Sequence, residues 1–203
     1  SATYAQLSFQ CTYLKAHYPA QFLAAVISNG HGFYRRDVYL NEARRWGITI
    51  LPLDINESAV RYRGRGRYVR PGFMHVRGLR SSILKRLVEE RAGGGPYAGL
   101  SDFCHRLAPR DGADGIHRAE VEGLILVGAF DQFDLTQPQS LFLLDELIGH
   151  RDDGMDLFAD YDSSPALHHV PIDSVDYSLA ERCLRELDLL GYMLSGDILE
   201  ILR

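Results

Sequence analysis

The chain has 203 residues, 46% of them hydrophobic and 24% charged, which is enough apolar material to bury the core of one large domain or two small ones. No apolar run approaches the roughly 18 residues of a membrane span, and three scattered cysteines make no disulfide framework. The net charge of -5 argues against a polyanionic partner until it is mapped: residues 61–91 carry ten basic groups against two acidic (+8), and residues 131–203 carry four against sixteen (-12).

The chain begins Ser-Ala-Thr-Tyr, without an initiator Met or a signal-peptide pattern, so further residues are expected upstream. Apolar positions at Leu7, Cys11, Leu14, Phe22, Ala25 and Val26 predict helix through residues 4–28, broken at Pro19 and stopped by Asn29-Gly30. A polar helix is predicted over 34–46, with Gly47 as its C-cap. Ile48–Leu53 reads as a short strand, and Tyr62–Val69, alternating Arg with Tyr and Gly, reads as a short, exposed strand or ribbon. A helix over 81–91 places Ile83, Leu84, Leu87 and Val88 on one face and ends at Gly93-Gly94-Gly95-Pro96. Helices follow at 100–107, 119–126, near 138–148 and at 177–190, with a polar stretch around Asp152–Pro165 as the linker candidate. The fold class is therefore mainly α with a few short strands.

The chemistry-bearing run is Phe73 through Val88. A short apolar segment enters a turn at Gly78, and a helix starts directly after it. Glycine lets a backbone approach a phosphate closely, and the first N–H groups of the helix lack internal partners and sit at its positive end. Arg77, Gly78, Leu79, Arg80, Ser81, Lys85 and Arg86 are the candidate DNA-contacting residues. Such a site reads phosphates rather than bases. The plainer alternative is a helix-turn-helix corner with a solvated basic face. No metal site is expected, because Cys104-His105 and His168-His169 lack further ligands at metal spacing. Asp54, Asp131 and Asp134 fall at loop or helix ends, where capping or solvation is their expected role.

Four runs resemble one family in order along the chain. Tyr4–Phe22 resembles the fingers region of the C-family bacterial DNA polymerases, the alpha subunits of DNA polymerase III. Glu42–Ser58 and Val121–Asp131 are similar to segments that follow there, and Leu190–Gly196 resembles the lead-in to that family's OB domain. The resemblance implies a helical bundle with tandem helix-hairpin-helix motifs contacting duplex DNA. It divides the chain into the end of the fingers (1–46), the helix-hairpin-helix domain (47–131), a helix and acidic linker (132–165) and a helix leading to the OB domain (166–203). It also implies a cytoplasmic replicase, working with other replicase subunits and no membrane. The parent polymerase would use magnesium and three palm aspartates upstream of this stretch, so the stretch itself would bind without catalysing and without a cofactor.

At the hairpin the family's Gly-hydrophobic-Gly turn reads Gly78-Leu79-Arg80. The Arg either distorts the phosphate approach or replaces a backbone contact with its guanidinium. The family also places a sliding-clamp peptide between the hairpin module and the OB domain, and Met155, Asp156, Leu157 and Phe158 stand at that place, with Gly154 where Gln is usual. His31-Gly32-Phe33-Tyr34 is similar to the error-prone paralogue as well as to some replicative members. Two rival functions stay open. One is a glycosylase-type repair enzyme, with Gly93-Gly94-Gly95-Pro96 preceding Asp102. The other is an interaction module whose acidic C-terminal third masks residues 61–91.

Overall fold

Pro19 has no N–H to give a preceding turn, so it opens a helix rather than continuing one. In the computed structural model, which describes residues 2–30, 33–109, 115–149, 175–196 and 201, α1 spans Ala2–His17 and α2 spans Pro19–Asn29. Gly30, at φ 65°, ends α2 in the left-handed conformation. α2 buries Ala20, Leu23, Ala24 and Ile27, whereas α1 buries none of its residues and leaves Leu7 and Leu14 exposed. The chain divides into two compact units: Ser1–Leu53 with Ser58–Met74, and Asp54–Glu57 with His75–Arg203.

In the first unit, α3 (Arg36–Arg45) follows the predicted polar helix, and Gly47 turns the chain at φ 68°. Strand β1 is only Thr49–Ile50. It stops there because Pro52 has no N–H for the ladder, after Thr49 and Leu51 donate to the carbonyls of Arg67 and Val69. The strand or ribbon predicted over 62–69 is a hairpin, β2 (Arg63–Arg65) and β3 (Tyr68–Arg70). Its two-residue turn has Gly66 first, at φ 60°, the position where the hairpin twist calls for glycine. The sheet order is β1-β3-β2, with β1 parallel and β2 antiparallel to β3. Gly64 lets β2 lie against α2: a Cβ there would stand 2.2 Å from the Ala20 carbonyl oxygen.

The second unit holds α4 (Ser81–Gly94), α5 (Leu100–Arg106), α6 (Arg118–Leu126), α7 (Gln137–Gly149) and α8 (Leu179–Leu190). α4 runs three residues past its predicted end, through two glycines. The Arg106 guanidinium explains this, donating to the carbonyls of Glu90 and, at 3.0 Å, Gly95, so C-terminal carbonyls that would otherwise lack partners are satisfied. An aromatic chain of Tyr97, Phe103 and Phe130 runs through the core, with edge-to-face contacts at 5.0 and 5.1 Å. The Tyr97 hydroxyl donates to the Leu87 carbonyl at 2.7 Å. Asn56 pairs twice with the Tyr97 backbone, accepting from its N–H and donating to its carbonyl. Burial pushes the Tyr97 hydroxyl up to about 12, against the opposing pull of the Arg106 cation over its ring.

Tyr97→Phe removes one buried hydrogen bond and is expected to cost about 1 kcal/mol, whereas Tyr97→Ala also opens a cavity and is expected to cost about 3–5 kcal/mol. Urea unfolding midpoints of the two variants check the order.

Candidate nucleic-acid interface

The turn before α4, from His75 onward, belongs to the second unit. Val76 is buried, Gly78 turns at φ 83°, and the Leu79 N–H approaches the Val76 carbonyl at 3.4 Å. A Cβ added at Gly78 would meet nothing within 4 Å, so the turn faces open space. Arg80 is the N-cap of α4 in an extended conformation (φ -69°, ψ 143°) that any residue adopts, so the hairpin needs no second glycine there. Ser81 and Ser82 begin the helix, both exposed, and no cap side chain bonds to its first turn.

Two of the candidate arginines turn inward. Arg80 donates its backbone N–H and its Nε to one Glu120 carboxylate oxygen, both at 3.0 Å. Its terminal nitrogen reaches the other oxygen at 2.8 Å and the Gly115 carbonyl at 2.6 Å. Arg86 donates to the carbonyls of Arg106 and Ala108, holding the end of α5. Arg77, Gly78, Ser81 and Lys85 stay exposed. Arg77 hangs its backbone N–H on the Leu189 carbonyl and pairs with Asp188 at 2.8 Å, both side chains well exposed. The basic run read in the sequence is divided: Arg61–Arg70 lie in the first unit and Arg77–Arg91 in the second.

Glu120 was invisible to motif reasoning. It closes the N-terminus of α6 as a capping box, accepting the His117 N–H at 2.9 Å while bonding Arg80. The only sequence signal is its place three residues after His117, a poor cap residue. Burial alone would push its carboxyl up. Hydrogen bonds from the Arg80 side chain and from the His117 and Arg80 backbone outweigh that and hold it below the usual range.

A second glycine corner, Gly128 at φ 78°, ends α6. It differs from Gly78 in being closed by its own chain: a Cβ there would stand 3.0 Å from an Asp131 carboxylate oxygen. Arg182 pairs with Asp131 at 2.7 Å and also with Asp176, which in turn accepts the Gln137 N–H at the start of α7. Asp54 caps its own loop, accepting the N–H groups of Asn56 and Glu57. Asp134 takes the left-handed conformation after a 3-10 turn. Asp102 accepts the Ala98 N–H at 3.0 Å and sits 3.5 Å from Arg106. The carboxylates of Asp54, Asp102, Asp131 and Asp176 thus each have a local structural role. Among the described residues no three His, Cys, Asp or Glu come together to hold a metal, and no helix is long and apolar enough to cross a membrane. The candidate clamp residues Met155, Asp156, Leu157 and Phe158 lie outside the described residues.

Residues 47–140 match a family model described as "Helix-hairpin-helix motif". The chain is similar to the DNA polymerase III subunit alpha of Thermus aquaticus, 30% identical over 205 residues that cover 97% of this chain and 16% of that protein. It is also similar to that of Deinococcus radiodurans (32% over 214 residues, 98% and 15%) and of Staphylococcus epidermidis (32% over 149 residues, 73% and 14%). The chain therefore spans about one sixth of the length of the first of these curated relatives and no more of the other two.

Because the folded state holds the Glu120 carboxyl below its unfolded value, its contribution is present above the ordinary glutamate range of about 4.3 and is lost as pH falls. Glu120→Gln is expected to cost about 1.5–3 kcal/mol at neutral pH and to flatten that part of the acid limb. Urea unfolding of both proteins across the acid range checks this, and parallel pH profiles would contradict it.

Proposed function

The chain belongs to the DNA polymerase III alpha-subunit family, as the stretch that carries its helix-hairpin-helix motif, and on that premise we propose that it grips DNA through the sugar-phosphate backbone at the start of α4. The observation that carries this reading is the contrast between two glycine corners. Gly128 is closed by the Asp131 carboxylate, whereas Gly78 opens onto exposed Ser81 and Ser82 at the positive end of a helix of 14 residues. A phosphate oxygen placed there accepts N–H groups of the first turn, and Lys85, one turn on, adds a cation. Arg80 and Glu120 act behind this point, fixing where α4 begins. The contact is sequence-independent, since nothing in it reads a base edge.

In this proposal the grip serves template-directed DNA synthesis by a whole polymerase. The magnesium chemistry of that reaction is supplied elsewhere in such a protein, and this stretch contributes no catalytic group. A sliding clamp engaged by Met155–Phe158 and contacts with other replicase subunits belong to the same proposal and rest on the sequence resemblance.

One observation favours a masking role for part of the acidic C-terminal third. Asp188 of α8 pairs with Arg77 at the hairpin, and both are exposed. An exposed pair of this kind contributes about 0–1 kcal/mol, so a phosphate can displace it.

Ser81→Glu with Lys85→Glu tests the grip. A carboxylate at the first turn favours the helix, so thermal stability is expected to hold or rise. Duplex affinity, read by fluorescence anisotropy at low salt, is expected to fall by about 1–3 kcal/mol. Undiminished affinity would overturn the assignment. Asp188→Asn is expected to raise duplex affinity by less than about fivefold, the ceiling of a surface pair, and to leave stability unchanged. An unaltered titration would remove the masking reading alone.

A further inference from the structure

The overall charge of -5 conceals a division by unit. The first unit carries ten basic side chains against Asp37 and Glu42, a net +8 (10 - 2), and the second carries twelve against twenty-five, a net -13 (12 - 25). Both acids of the first unit already lie beside arginines of their own helix region, Asp37 by Arg35 at 3.4 Å and Glu42 by Arg45 at 3.7 Å.

Half of the ten basic groups lie on the ribbon from Arg61 to Arg70. Three hold their own unit together: Arg61 donates to the Asn29 side chain, Arg67 to the carbonyls of Trp46 and Gly47, and Arg70 to the Pro52 carbonyl. Arg63 and Arg65 are exposed, and neither makes an ion pair or a side-chain hydrogen bond among the described residues. The hairpin register places Arg63 opposite Arg70 and Arg65 opposite Tyr68, with Gly64 opposite Val69. Strand side chains alternate between faces. The Gly64–Val69 face is therefore the one turned to α2, where Val69 is fully buried. Arg63, Arg65, Tyr68 and Arg70 share the other, and the Tyr68 ring is 52% exposed.

An exposed aromatic ring flanked by two cations that face no carboxylate of their own face has the composition of a single-strand platform. A base stacks on the ring, and the phosphates on either side meet the cations. Bases of a duplex are already stacked on both faces, so the ring has nothing to offer them, whereas an unpaired base has an open π-face. We propose that the outer face of the β2–β3 ribbon binds single-stranded nucleic acid, with Tyr68 stacking on a base and Arg63 and Arg65 meeting the adjacent phosphates. This site concerns the first unit alone and does not rest on the hairpin at α4.

The test titrates the 203-residue chain against a fluorescein-labelled oligo-dT strand and against a labelled duplex, by anisotropy at several salt concentrations. Arg63→Gln with Arg65→Gln is expected to weaken oligo-dT binding and to reduce the slope of log affinity against log salt by about 1.4, two single-strand phosphates at about 0.7 each. Tyr68→Leu is expected to weaken it on the order of 5- to 100-fold without changing the slope, and Tyr68→Phe is expected to bind as the parent chain does. All of these positions are exposed, and circular dichroism melting is to check that each variant folds. No binding of oligo-dT by the parent chain, or equal binding by the Gln and Leu variants, would overturn the site. Losses confined to the duplex would overturn its assignment to single strands. The Ser81→Glu, Lys85→Glu chain is expected to keep its oligo-dT affinity, so a failure of the hairpin reading leaves this one distinguishable.

Discussion

The Glu120 carboxylate is 5% exposed, and a carboxylate taken that far from water costs several kcal/mol unless donors replace the water. Here they do. Arg80 supplies its backbone N–H and two guanidinium nitrogens, and His117 supplies its backbone N–H. The consequence is geometric as much as energetic. One side chain ties the residue before α4 to the residue before α6, so two helices that are distant in sequence start from a common point. The tie also explains why an arginine stands where a second glycine would be read: at φ -69° no glycine is required, and the side chain has a carboxylate to meet.

That tie decides what the hairpin offers to a ligand. With Arg80 and Arg86 turned to their own chain, the outward-facing polar groups are Arg77, Ser81, Ser82 and Lys85 around the open turn at Gly78. The proposed anion site would thus be mostly backbone and helix dipole, with side-chain charge as an addition. The same unit shows what a closed corner is like: at Gly128 the chain supplies its own anion, Asp131, and its own cation, Arg182. Charge is divided by unit as well. The basic ribbon belongs with α1–α3, and the hairpin belongs to a unit that is acidic as a whole.

Much of this was legible in the sequence, for reasons local to a few residues. Pro19, Gly30 and Gly47 punctuate helices through φ and a missing N–H, and such effects are readable without tertiary context. The mainly α class and the helix starting at Ser81 follow from apolar spacing. The sequence leaves a single strand or a ribbon open there, because Arg-Gly-Arg-Gly-Arg carries no apolar alternation to mark a turn. Only the Ala20 backbone beside Gly64, and Val69 buried opposite it, reveal which face is inward. The inward turn of Arg80 and Arg86 was illegible for a deeper reason. An arginine's partner is set by what the fold brings near it, and Glu120 and the Ala108 carbonyl lie 40 and 22 residues away. A basic run in a sequence therefore overstates the charge presented to a partner, and here Arg61, Arg67, Arg70, Arg80 and Arg86 all serve as internal struts.

In the proposed grip, backbone N–H groups at the start of α4 receive a phosphate. Amide chemical shifts of the isotope-labelled chain, followed as a short duplex is added, address it directly. A phosphate received there predicts the largest shifts at Gly78, Ser81 and Ser82, with small ones at Gly128 and Ala129. Shifts at the Gly128 corner or elsewhere, with the amides of Gly78, Ser81 and Ser82 unmoved at saturation, would contradict it.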